Sequence, residues 1–198
     1  MNCLSRFALF VAGAVALTAF PSCSSSEPPQ MDPEEMMAQW EAMNAPGEHQ
    51  EHLQQFVGTF AVKNTMWMAP GAEPVVSSGL ATNRMILEGR YLEGEYQGEM
   101  EGRPFTGWGL TGYDNMAQKY VNVWADSMST GVMLSEGHCD KNGKVFTYGG
   151  EMDMGPMGKQ TYRIVLTILD KDMHKFEWFD LTTGEEVKTM EMVYTRKQ

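Results

Sequence analysis

The chain has 198 residues and a formal net charge of −11, with 26 acidic residues against 15 basic ones. Its 42% of hydrophobic residues suffices for one domain with a real core. A surface this acidic speaks against nucleic acid, whose binding rests on neutralising phosphates, and against electrostatic attachment to anionic lipid.

The first residues are a different material from the rest. Arg6 supplies a positive start, and Phe7–Phe20 (FALFVAGAVALTAF) is an uncharged apolar run. It is shorter than the roughly 20 residues a membrane-spanning helix needs, and it suits the hydrophobic region of a signal peptide. Pro21, Ser22 and Cys23 follow. A small residue just before a cysteine resembles the cleavage box of bacterial lipoproteins, although Phe20 and Pro21 replace the usual aliphatic and small residues. Lipidation of Cys23 is expected, with ordinary signal cleavage near the same place as the alternative. The expected organisation is a signal peptide over 1–22, a lipidated Cys23 with tether and short helix over 23–45, and a single barrel domain over 46–198. The protein is then exported and held in the cell envelope, periplasmic or on the outer surface, touching the membrane through the anchor only. Ser24–Gln30 (SSSEPPQ) cannot bury enough surface to order itself. Cys3 leaves with the signal and Cys23 carries lipid, so Cys139 remains alone and no internal disulfide is expected.

Met31–Asn44 reads as a helix, with Asp32 as cap, Pro33 in the first turn and Glu34 and Glu35 at the positive end of the dipole. Met36, Trp40 and Met43 recur at helical spacing and predict packing across the barrel or its mouth, or else a helix tethered outside. Ala45-Pro46-Gly47 break it, and Glu48–Gln55 forms a second short helix. His49 and His52 lie three apart on one face, a spacing that suits a metal, but no third ligand is visible and exposed histidines are expected.

From Phe56 onward the texture is that of strands. They are expected over 56–68, 75–87, 91–101, two arms within 102–126, 130–139, 144–152, 159–169, 173–181 and 186–196. The connections are short, and Asp140-Lys141-Asn142-Gly143 carries the Asn-Gly signal of a hairpin. On the third strand Leu92, Gly94, Tyr96, Gly98 and Met100 are the less polar set and should face in. Tyr162, Ile164, Leu166 and Ile168 form the apolar face of the eighth. About ten short strands joined by tight turns predict an all-β, antiparallel up-and-down barrel, because closure removes exposed sheet edges.

Leu53-Gln54-Gln55-Phe56-Val57-Gly58-Thr59-Phe60 resembles the opening of the calycins, the lipocalin-like barrels, with Phe60 where Trp is usual. In calycins an arginine near the end of the last strand packs over that ring. The resemblance implies that Arg196 closes the barrel over Phe60, a contact worth roughly 0.5–2 kcal/mol, rather than standing exposed at the C-terminus. The stretch from about Pro46 to Arg196 also resembles a bacterial family known only as a domain of unknown function. The resemblance is carried by Gly89-Arg90-Tyr91, Gly107-Trp108-Gly109, Gly112-Tyr113-Asp114, Trp124-Ala125-Asp126-Ser127, Ser129-Thr130-Gly131 and Gly184-Glu185-Glu186-Val187-Lys188. It implies a calycin-like barrel and no catalytic residues.

Several motifs have plainer readings. Gly107–Gly112 matches the dinucleotide-binding spacing, but a turn and a strand follow where that site needs a helix, so its glycines are read as permitting wall curvature. Met152, Met154 and Met157 are soft donors suited to Cu(I), but methionine is abundant along the whole chain and packing is the expected role. His138 and Cys139 point to opposite faces of a strand and cannot easily share a task. His138 and His174 are the only histidines on predicted strands, and haem is not expected. No cofactor or metal is assigned.

The remaining constellation is the face of Tyr120, Asn122, Trp124 and Asp126, with Trp108, Arg84 and Tyr162 joining from other strands. Aromatics with a few convergent polar groups are what a small-molecule pocket needs, the alternative being a filled barrel with these groups at its rim. The leading expectation is a monomeric binding module for a small apolar or amphipathic ligand, without catalysis. The rivals are a barrel isomerase or hydratase using Asp126 with Tyr120 or Tyr162 as base and acid, and an envelope interaction protein using its acidic outer face.

Overall fold

The computed structural model describes residues 32–100 and 102–198. The signal peptide, Cys23 and the tether lie outside the described residues. Ten strands follow the N-terminal helices: β1 Gly58–Met66, β2 Val75–Ile86, β3 Tyr91–Met100, β4 Arg103–Asp114, β5 Lys119–Asp126, β6 Met133–Cys139, β7 Val145–Asp153, β8 Lys159–Ile168, β9 Met173–Asp180 and β10 Val187–Arg196. Each pairs antiparallel with the next, and β1 pairs with β10, so the sheet closes into a barrel. Every expected strand is present, displaced at its ends by a few residues at most.

Closure rests on the join between β1 and β10. Phe60 is paired directly with Arg196 and is fully buried. The guanidinium lies 4.6 Å from the centre of the Phe60 ring and donates to the carbonyls of Val57 and Gln55. Gly58 has φ 132°, and a Cβ there would come within 2.2 Å of the Arg196 Nη1. Only glycine combines that backbone with that approach. The Gln55 and Val57 carbonyls, Gly58 and the Phe60 ring thus all depend on one side chain from the other end of the chain.

Helix α1 spans Pro33–Met43, and the Asp32 carboxylate accepts from the Glu34 amide at 2.8 Å. It buries no residue, and Met36, Trp40 and Met43 stay about half exposed. It does not pack across the barrel. Its C-terminal end is tied down instead, by Asn115 Nδ2 donating to the carbonyls of Met43 and Ala45.

Helix α2 spans Glu48–Leu53 and runs into a 3₁₀ turn over Gln54–Phe56. This unit plugs one end of the barrel. Leu53 and Phe56 are buried in a cluster with Leu92, Tyr120, Phe146 and Tyr148. Its polar groups bond to the rim: Gln50 Nε2 donates to the Tyr113 carbonyl, Gln55 Nε2 to that of Gly143, and Asn83 Nδ2 to that of Phe56. A second buried cluster, Phe60, Val62, Ala81, Tyr96 and Phe105, lines the β1–β4 side of the wall. The other end of the barrel, where β1, β3, β5 and β7 finish, has no such plug among the described residues.

Candidate functional site

Two apolar clusters leave the middle of the barrel open. The cavity has a volume of about 1230 Å³. That exceeds the roughly 300–1,000 Å³ of most small-molecule sites. Its floor is made by Leu53, Phe56 and His174, its walls by Trp124, Tyr148, Phe176 and Trp178 among others, and its mouth by the β5–β6 loop, Ser127–Val132. Seven methionines line it, including Met133, Met152, Met190 and Met192. Thioether side chains adapt to irregular shapes, so this wall can re-form around different guests.

Strand alternation decides which of the expected residues reach it. On β5, Asn122, Trp124 and Asp126 line the cavity. Asn122 Nδ2 donates to Thr111 Oγ1 at 2.8 Å. Trp124 Nε1 donates to Asp126 Oδ2 at 3.0 Å, while Asp126 Oδ1 accepts from the amides of Met128 and Ser129. Asp126 thereby ties the inner wall to the mouth loop. The Trp124 ring lies across Gly107 and Gly109 of the neighbouring strand. A Cβ at Gly107 would fall 2.1 Å from the ring, and one at Gly109 3.2 Å away. These glycines, expected to allow curvature, are the bed on which an indole lies flat.

Tyr120 and Tyr162 are buried at 1% exposure, in the core rather than on the cavity surface. The Tyr120 hydroxyl sits at the plug, within 3.3 Å of the Nδ1 atoms of both His49 and His52 and 3.2 Å from the His49 carbonyl. The Tyr162 hydroxyl bonds to Ser135 Oγ at 2.9 Å and donates to the Leu134 carbonyl, and its ring stacks on Trp178. Neither hydroxyl bonds to Asp126, so the acid–base pairs weighed from the sequence are not assembled.

Arg84 and Trp108 are corrections. Both stand on the outer face, where Arg84 Nε and Trp108 Nε1 donate to the two oxygens of Glu93 at 2.6 and 3.1 Å. The bond from Trp108, then those from Arg84, hold the Glu93 carboxyl below its usual range. The physical reason is parity. Gly109 is paired with inward Trp124, so the residues flanking it on β4 must point outward.

His49 and His52 are likewise not the exposed pair expected. His49 stacks on Tyr113 with ring centres 3.7 Å apart, and burial, then the neighbouring His52, pushes its pKa down. Among the described residues, no group of three or more His, Cys, Asp or Glu is arranged to hold a metal ion. Met152 and Met154 line the cavity while Met157 is 79% exposed, so the methionine triplet does not converge.

Two polar residues missed from the sequence matter more. Asn64 is 5% exposed and lines the cavity; its Nδ2 donates weakly to Ser77 Oγ at 3.4 Å, and its Oδ1 finds no partner among the described residues. His174, 4% exposed, lies against Phe56 and Phe60 and stacks on Tyr194 at 4.3 Å. Burial, then the charge of Arg196, lowers its pKa to about 4, so the ring is neutral at physiological pH. An Asn or His at an inward position of an otherwise apolar strand was the available signal.

A family model described as "Protein of unknown function (DUF1579)" matches residues 45–196. No curated protein matches the chain. Among solved structures, the crystal structure of Rv2717c from M. tuberculosis is similar, with a TM-score of 0.57 and 14% identity over 78% of this chain and 100% of that one. Such a likeness shows the barrel fold alone. A redesigned β-barrel gives a TM-score of 0.40 at 15% identity, covering 73% of this chain and 94% of its own. EF1p2_mFAP2b bound to DFHBI gives 0.42 at 12%, covering 76% and 100%.

Proposed function

The chain belongs to the family of unknown function DUF1579, and from that premise we propose that it is a binding protein whose barrel holds a small apolar or amphipathic ligand without transforming it. The cavity of about 1230 Å³ carries the reading. Opening such a space forfeits packing that a filled barrel would keep, at a cost that grows with its volume. Its wall joins apolar side chains to a few fixed polar groups, the composition of a ligand site. Asp126, the inward carboxylate of β5, has both oxygens engaged by N–H donors, which supports binding over acid–base chemistry.

The protein works at the cell envelope, exported by residues 1–22 and held by lipid on Cys23 as a monomer. The apolar run Phe7–Phe20 before a cysteine supports this address. Cells fed labelled palmitate should label the protein, and Cys23→Ala should abolish the label; equal labelling of the variant would refute the anchor.

Native mass spectrometry of the purified protein, followed by organic extraction, tests the binding itself. A mass increment released by solvent, or uptake of the neutral fluorophore N-phenyl-1-naphthylamine at one site per chain, is expected. A protein that neither carries an extractable molecule nor takes up the fluorophore is no carrier of this kind.

A further inference from the structure

The charges around the cavity are all of one sign. Its lining includes Asp126 on an inward position, together with Glu99, Glu151 and Asp153, which alternate with the inward Met100 and Met152 and reach it at the rim, and neither lysine nor arginine. Glu99, Asp126 and Asp153 stand at or beside the strand ends that form the mouth. The bases near that rim do not line the cavity; Arg163 is taken up by Glu186 and Lys188 by Glu191 at 2.8 Å. Lys159 is taken up by Glu151 at 2.6 Å, and Arg103 is exposed at the start of β4. Inside, His174 is the single basic group of the lining, and burial keeps it uncharged at neutral pH. A carboxylate or phosphate head would therefore meet mainly like charge at the mouth and no lysine or arginine in the lining.

Asn64 gives an independent indication. Its Oδ1, buried on a residue that lines the cavity, accepts from no described residue, and an acceptor left unpaired in such a place is costly. An unpaired amide oxygen carries partial negative charge, which attracts a cationic group and repels an anionic one. The cavity lining also holds the rings of Trp124, Tyr148 and Trp178, whose faces attract cations and accept alkyl chains alike.

Resting on the carrier reading, we propose that the cavity selects cationic amphiphiles, with an alkyl or aromatic body inside the barrel and an amine or quaternary ammonium group among the mouth carboxylates. A fatty acid of the same length is disfavoured. The methionine-lined wall sets little demand on the shape of the body, so the sign of the head group is the main discriminator.

The test uses the full-length protein near neutral pH and low salt, with N-phenyl-1-naphthylamine bound in the barrel. Decyltrimethylammonium, decyl glucoside and decanoate compete for it, each below its micelle concentration. The cation is expected to displace the fluorophore at least about tenfold more tightly than decanoate, with the neutral glucoside between. Adding about 0.5 M salt should narrow the gap severalfold, because the mouth is open to screening. The variant Glu99→Gln/Asp153→Asn should narrow it as well, its fold being checked by circular dichroism. Equal displacement by cation and anion, or tighter displacement by decanoate, overturns the charge selection while leaving the carrier reading intact, since the fluorophore is bound. Failure of the fluorophore to bind at all overturns both.

Discussion

The indole of Trp124 lies so flat across β4 that a single methyl group on Gly107 would collide with it, at 2.1 Å from the ring. An inner wall residue of the cavity is thus positioned by the absence of a side chain on its neighbour. Gly107→Ala should push the ring off its rotamer and into the cavity, costing roughly 1–3 kcal/mol. The same substitution at Gly149, where the nearest atom would be 3.6 Å away, is the control. Urea denaturation should separate the two, and fluorophore affinity should fall only for Gly107→Ala.

Arg196 joins the first strand to the last through the Phe60 ring and two carbonyls. Arg196→Ala removes the cation–π contact and leaves both carbonyls short of a donor, so a loss of roughly 2–4 kcal/mol is expected. Arg196→Lys keeps the charge but cannot reach both carbonyls, and should recover less than half of that. The midpoint of chemical unfolding is the measurement.

His174 makes stability depend on pH. Its folded pKa, about 4, lies below the ordinary 6.5, so the unfolded chain takes the proton first and acid favours unfolding. The contribution is fully present above about pH 6.5, declines as pH falls toward about 4, and then levels off. The span amounts to roughly 3 kcal/mol. The groups facing the ring are Phe56, Phe60 and Tyr194, with the Arg196 charge nearby. Folding free energy measured across that window should fall less steeply for His174→Phe than for the parent. Parallel curves would refute the assignment.

At the plug, Tyr120→Phe removes the hydroxyl that His49 and His52 share. A cost of roughly 1–2 kcal/mol is expected. Hydrogen exchange should quicken in the amides of α2, Glu48–Leu53, while those of β8 keep their protection.

Much of this was legible in the chain itself. Leu92, Tyr96 and Met100 face in on β3, as do Tyr162, Ile164 and Leu166 on β8, because a strand alternates sides and its apolar set shows which side is wet. Arg84 and Trp108 were misread for a related reason. On β4, which carries Trp108, both sides hold small or aromatic residues, so composition gave no parity, and only the pairing of Gly109 with Trp124 fixes it; Arg84 lies on β2, where its partner is the outward Glu93. The histidines of α2 looked exposed because six residues of helix reveal one face and not what covers it.

Local spacing and turn chemistry determined that this polypeptide would be a meander of antiparallel strands with a polar and an apolar side to each. Those are properties of a few neighbouring residues. Whether the closed wall would be solid or hollow, which rings would rest on which glycines, and which charges would gather at one mouth were decided only in three dimensions. They depend on the stagger between strands distant in sequence, and on the Phe60–Arg196 join that brings the two ends of the sheet together.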